Sequence, residues 1–160
     1  MLTHDILMNT MRPGRYVDHE WNVIKKDFSK ADVRVCLCFP DVYEVAMSHL
    51  GIRILYDVMN ARKGVVCERA FCPWPDLGKV LSMNALALTS LESKVPLKNF
   101  DILGFSVNNE LNYSNILSML SLSGIPFRAA ERTSEFPLII AGGNCTLNPE
   151  PLAEFFDLFV

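Results

Sequence analysis

Two short runs of unbroken apolar residues, each closing on small ones, constrain this chain more than anything else in it. They are Ile102-Leu103-Gly104-Phe105-Ser106, reached from Phe100-Asp101, and Leu138-Ile139-Ile140-Ala141-Gly142-Gly143. A run of this length without polar alternation reads as a strand buried on both faces, as in a parallel sheet covered by helices. The small residues leave backbone open at the carboxyl edge of that sheet, where open α/β sheets bind ligands. The chain therefore carries a candidate site, and the question is what it takes.

The remaining segments alternate in kind. Val33 to Phe39 is a strand stopped by Pro40-Asp41, and the apolar spacing after it predicts one helix from about Tyr43 to Ala61. Gly51 falls inside that helix, where glycine costs up to ~1 kcal/mol relative to alanine and permits close approach. Val65 to Phe71 is a second strand, followed by the rigid turn Cys72-Pro73-Trp74-Pro75-Asp76 and a short helix to about Met83. Ala85 to Leu91 is apolar enough for an extra edge strand. Tyr113 to Ser123 reads as a helix closed by Gly124, Pro149 as the first position of another helix, and Asp157 to Val160 as a last strand.

Alternation of this kind predicts an α/β three-layer sandwich around a mostly parallel, flavodoxin-like (Rossmann-like) sheet. The expected strand order is 2-1-3-4-5, with Ala85 to Leu91 as the extra edge strand. Residues 33–160 form this domain. Residues 1–32 read as an N-terminal arm: a short helix from Met1 to Met11 ended by Pro13-Gly14, then a polar stretch anchored by Tyr16 and Trp21.

Composition narrows the function. Half of the 160 residues are hydrophobic, which rules out a disordered chain. A net charge of -3 with scattered basic residues argues against direct nucleic-acid binding, which needs a clustered basic surface. The densest basic group, Arg12, Arg15, Lys25, Lys26 and Lys30, reads as a solvated face. No apolar run approaches the roughly 20 residues that span a bilayer, and the N-terminus has no secretion pattern, so a cytoplasmic protein with no membrane contact is the expectation. The five cysteines, Cys36, Cys38, Cys67, Cys72 and Cys145, lack metal or redox spacing. They read as small buried residues, and no metal site is assigned.

In the expected topology the loops after the first, third and fourth strands meet. They bring together Pro40 and Asp41, then Ser106 and Asn108, then Gly142, Gly143 and Thr146, with Ser48, His49 and Gly51 from the first helix on the other side. The rim is polar and nearly uncharged on an apolar base, which suits a large amphipathic ligand better than a phosphate. The glycine pair serves equally well as a ligand cradle or as a tight strand-to-helix turn. His49 reads as a metal ligand or base, or as a histidine satisfied on a helix flank. Asp41 and Glu44 suit a helix N-terminus. No catalytic set emerges.

Several motifs together resemble the cobalamin-binding-type domain that precedes the catalytic barrel in many radical S-adenosylmethionine proteins. They are Asp101-Ile102-Leu103-Gly104-Phe105-Ser106, Ala141-Gly142-Gly143 and Asn148-Pro149-Glu150-Pro151-Leu152. A closer resemblance, to one uncharacterised subfamily, rests on Arg15-Tyr16, Glu20-Trp21-Asn22, Phe39-Pro40-Asp41, Met47-Ser48-His49-Leu50-Gly51, Pro73-Trp74-Pro75-Asp76 and Ser90-Leu91-Glu92-Ser93. It spans about Arg12 to Val160. The resemblance implies a module that binds cobalamin or positions substrate for a radical S-adenosylmethionine barrel. S-adenosylmethionine and a 4Fe-4S cluster would belong to that barrel, whose Cys-x-x-x-Cys-x-x-Cys motif is expected beyond Val160.

His49 departs from the Asp-x-His-x-x-Gly pattern of histidine-ligated cobalamin domains, since Met47 stands where Asp would and Gly51 follows after one residue. Cobalt ligation by His49 is therefore not expected. The alternatives are a non-binding scaffold with a degenerate pocket and a flavin mononucleotide binder. The second is weakened by the absence of a phosphate cradle after the first strand. Self-association through the region of Phe155, Phe156 and Asp157–Val160 is also expected.

Overall fold

The computed structural model describes residues 4–18 and 20–160. Five strands, β1 (Val33–Phe39), β2 (Val65–Phe71), β3 (Ile102–Ser106), β4 (Leu138–Gly142) and β5 (Leu158–Phe159), form one sheet in the order β2-β1-β3-β4-β5. Every pairing is parallel, with Val33 opposite Val65, Val35 opposite Ile102, Ile102 opposite Leu138 and Ile140 opposite Leu158. The fold is α/β and flavodoxin-like, as the apolar runs predict.

The order and the right-handed crossover rule together fix how the faces are covered. The step from β1 to β2 runs opposite to the others. Its helices, α2 (Tyr43–Ser48) and α3 (Leu50–Asn60), therefore lie on one face, and the later connections on the other. Two cores result. Val35, Leu37 and Phe39 of β1 pack with Ala46, Ile52 and Tyr56 on the first face. On the second, Cys36, Cys38, Leu103, Phe105, Ile139 and Ala141 pack with α4 (Pro75–Met83) and α5 (Tyr113–Leu122). The second core is much the larger.

Six local expectations are corrected. The helix after β1 is not continuous. Ser48 ends α2, and His49 is extended at φ -84°, ψ 109° before α3 begins. Its ring turns back over Gly51, where a Cβ would sit 2.9 Å from His49 Cε1. Phe39 packs against the ring with centroids 5.2 Å apart. Gly51 thus admits the histidine ring rather than an outside group.

Ala85 to Leu91 is not a strand. Its amides go elsewhere, Leu88 N–H to the Leu122 carbonyl and Leu91 N–H to that of Arg69, and one isolated antiparallel bridge joins Thr89 to Pro96. The segment after Pro149 makes only the 3₁₀ turn Glu150–Leu152. Trp21 is fully exposed and anchors nothing, whereas Tyr16 is tied down through its hydroxyl to Asp76 and the Trp74 amide. Phe156 is buried against Phe105 at 5.7 Å, so it offers no exposed face.

The described part of the N-terminal helix spans His4–Met8, and the expected start at Met1 lies outside the described residues. Nor is the basic group uniformly solvated. Arg15 is buried, pairs with Glu44 at 2.7 Å and stacks over Trp74. Lys26 donates to three carbonyls, of Asn60, Arg62 and Val65.

Candidate functional site

Among the described residues α2, α3 and Ile24 of the arm cover the first face, and they leave it only partly covered over β3, β4 and β5. A groove of about 490 Å³ runs there between α3 and the sheet. Its walls are Ile52, Leu55 and Met59 of α3 and Val35 and Leu37 of β1; its floor is Ile102, Gly104 and Ile140. At the carboxyl end it meets His49, Ser106, Asn108, Gly142 and Gly143. No charged side chain lines it.

Six of the ten expected site residues therefore converge: His49, Gly51, Ser106, Asn108, Gly142 and Gly143. The Asn108 amide donates to Ser106 Oγ at 2.9 Å and stands 3.4 Å from His49 Nε2. Which of these two groups donates depends on the His49 tautomer. His49 Nδ1 is buried and has no hydrogen-bond partner among the described residues. Gly143 has φ +119°, and a Cβ there would lie 2.6 Å from the Val107 carbonyl oxygen. Its glycine is required by strand-to-strand contact between the β3 and β4 loops. A Cβ on Gly142 would meet Val160, its side chain at 3.3 Å and its carbonyl oxygen at 3.8 Å.

The other four lie outside the groove. Pro40 accepts from Asn115 Nδ2, and Asp41 accepts from the Val42 amide and from Asn112. Ser48 donates to the Val45 carbonyl, and Thr146 to those of Gly143 and Val160. Each of these groups is engaged in contacts within the protein, Pro40 and Asp41 with residues around the start of α5. Groove residues not anticipated from sequence are the apolar walls and floor given above, together with Phe105 and Val160. Gly104 carried a signal, since glycine inside a strand marks a bulge or a close approach.

A second polar assembly sits at the β2 edge. Arg69 donates through Nε to Glu92 at 2.7 Å and pairs with Glu20 at 2.8 Å, and its guanidinium lies 4.5 Å above the Tyr56 ring. The Arg69 amide also donates to Glu92. Burial works against the Arg69 charge, but the carboxylates of Glu92 and Glu20 outweigh it and hold the group charged. Buried Glu68 accepts from the amide and hydroxyl of Ser93, and Lys94 donates to the Tyr16 and Leu91 carbonyls. Burial pulls Lys94 below the usual lysine range. These contacts account for the Glu20 and Ser90-Leu91-Glu92-Ser93 motifs: they bind the arm to the edge strand.

The cysteines are all free. Burial pushes Cys67 up to about 12 and Cys72 up to about 11, so neither offers a thiolate near neutrality. Among the described residues no group of three His, Cys, Asp or Glu side chains could hold a metal ion, and no helix is long and apolar enough to cross a membrane.

The geometry defines a flavodoxin-like domain with a neutral, apolar groove at its switch point. The family model described as radical SAM proteins, N-terminal, matches residues 51–160, and the chain belongs to that family. No curated protein and no solved structure matches it.

Proposed function

We propose that the chain is the cobalamin-binding-like module of a radical S-adenosylmethionine protein, and that the polar end of the groove takes cobalamin. The carrying observation is the convergence of Ser106, Asn108, His49 and Gly142 on a groove free of charged side chains. Such a lining fits a large, amphipathic ligand with amide arms, and the buried His49 Nδ1 has no hydrogen-bond partner among the described residues. Cobalamin supplies alkyl or radical chemistry at its cobalt when bound. Ser106 and Asn108 would hydrogen-bond its periphery, and Gly142 would keep the wall low. His49 positions Asn108 and does not ligate the metal. The cysteines do not fit the family's 4Fe-4S cluster, so that cluster and S-adenosylmethionine belong to the catalytic barrel, the module's partner. The protein would work in the cytoplasm.

A second reading, a scaffold that packs on the barrel without a cofactor, is favoured by Gly143, which is explained by contacts within the protein, with the Val107 carbonyl and Asn108 Oδ1. Titration with hydroxocobalamin separates the two. Wild type should bind, Gly142→Val should lose binding by narrowing the groove, and His49→Ala should leave the cobalt ligand-field spectrum unchanged. Absence of binding by wild type hands the site to the scaffold reading. A changed cobalt spectrum in His49→Ala alone overturns the role given to that histidine.

A further inference from the structure

A second cleft, on the arm side, shares no residue with the groove. Its volume is about 160 Å³, and it opens between the arm turn at Trp21-Asn22 and the flank of α3 that carries Arg53 and Asp57. Its charged groups are of two kinds. Glu20 is spent on the fold, since it pairs with Arg69 at 2.8 Å and accepts from the Tyr43 hydroxyl at 2.9 Å. Arg53 and Asp57 are not. Among the described residues neither side chain has a hydrogen bond or an ion pair, although they stand one turn apart on α3, where opposite charges can meet.

Arg69, at the inner end of the same cleft, is only half used. Its side chain is 4% exposed and its Nε donates to Glu92. Nη1 finds only the Met47 sulfur, at 3.4 Å, which is a weak acceptor. Nη2 is buried and makes an ion pair with Glu20 but no hydrogen bond. Buried donors left in this state cost free energy until a better acceptor arrives. At the outer end Trp21 stands fully exposed, on a turn held in place by its neighbour Glu20.

We propose that this cleft binds a free aromatic α-amino acid. The unspent charges are one cation and one anion, so the cleft complements a zwitterion and not a net ion. The ligand carboxylate pairs with Arg53 and supplies Arg69 Nη1 with the acceptor that the thioether is not. Its ammonium pairs with Asp57. Bonds between ionised partners are the strong ones. The Trp21 indole stacks on the ligand ring, and the Met47 sulfur suits a ring edge. Size agrees. A cavity of about 150 Å³ takes one benzene ring, so the ring fits and the zwitterionic end reaches the charged flank of α3. Nucleotides and corrins need sites of about 300 Å³ or more. An inorganic anion would face Asp57 and leave the indole unused. The proposal does not depend on the cofactor reading of the groove.

The test is calorimetric titration of the full chain with L-phenylalanine. It should bind saturably, at one site per chain. Phenethylamine, which lacks the carboxylate, and hydrocinnamate, which lacks the ammonium, should each bind at least about tenfold more weakly. Arg53→Gln should weaken L-phenylalanine to the level of phenethylamine and leave phenethylamine itself unchanged. Asp57→Asn should do the same with respect to hydrocinnamate. Both positions are exposed, and surface substitutions of this kind seldom change stability. Trp21→Ala should weaken all three probes alike. Saturating hydroxocobalamin should leave the L-phenylalanine affinity unchanged. No saturation by L-phenylalanine up to about 10 mM overturns the proposal. So does equal binding of the amino acid and its two truncated forms, which would mark stacking on an exposed indole and nothing more. Unchanged L-phenylalanine affinity in Arg53→Gln and Asp57→Asn overturns it too.

Discussion

At the β2 edge of the sheet a guanidinium, Arg69, is sealed between two carboxylates and a tyrosine ring, with its side chain 4% exposed. At the β5 edge two residues, Leu158–Phe159, pair with β4, and Leu158 and Val160 stand in solvent. An arginine holds that edge as well. Arg132 pairs with Asp157 at 2.8 Å and donates to the carbonyls of Pro126, Phe127 and Phe155. It fixes where β5 begins but covers neither its outer side nor its bare face. The contrast teaches that a polar lock closes an edge only when a further segment is laid over it. The arm does this for β2, and α3 lies beside it. Among the described residues the first face of β3–β5 is only partly covered.

The largest effect should come from opening the closed edge. Arg69→Ala leaves Glu92 buried with no counter-charge, its side chain being only 3% exposed. Breaking such a pair from one side costs about 3–5 kcal/mol. Arg132→Ala should cost less, about 1–3 kcal/mol, since it strands one partly exposed carboxylate and carbonyls that water reaches. Urea denaturation of both variants checks the order; equal losses would erase the difference drawn between the edges.

The next comparison uses two adjacent residues on opposite faces of β4. Ile139 is fully buried in the large core, and Ile140 lies on the groove floor. Ile139→Ala should cost about 3 kcal/mol. Ile140→Ala should cost less, about 1–2 kcal/mol, since its side chain is only partly buried. Similar losses at the two positions would mean that the first face is fully covered after all.

The smallest effect is one of pH. Burial raises Tyr16, Tyr43 and Tyr56 from 10.0 to about 12, and for Tyr43 the Glu20 carboxylate adds to it. All three lie on the arm and β2 side. The folded protein then holds protons that the unfolded chain releases above pH 10. Their contribution to stability is complete below that pH and is lost as pH rises toward 12. Phenolate absorbance should show these three ionising late and together with unfolding. Titration near 10 in the native state would show the arm to be loosely held.

Much of this was legible in the residues themselves. The unbroken runs at Val33–Phe39, Ile102–Ser106 and Leu138–Ala141 could be satisfied only by neighbours on both faces, so central parallel strands followed from apolar pattern alone. The convergence of Ser106, Asn108 and Gly142 followed from strand order. The break at His49 was not legible, because helical periodicity continues through it and only the Phe39 ring and the gap at Gly51 reveal it. The roles of Glu20, Glu92 and Arg69 were hidden for a similar reason: ion pairs between residues 23 and 49 positions apart leave no local pattern.

The sequence by itself therefore determined the strands, their order and the neutral character of the switch-point loops, since these rest on side-chain polarity and local spacing. Only the tertiary structure decided which glycines are already explained by protein contacts and which polar groups lock the β2 edge. It also decided that one sheet face is left only partly covered. Each of these depends on where distant segments pass, and handedness, which sends three of the four crossovers to the same side, leaves the other side thinly covered.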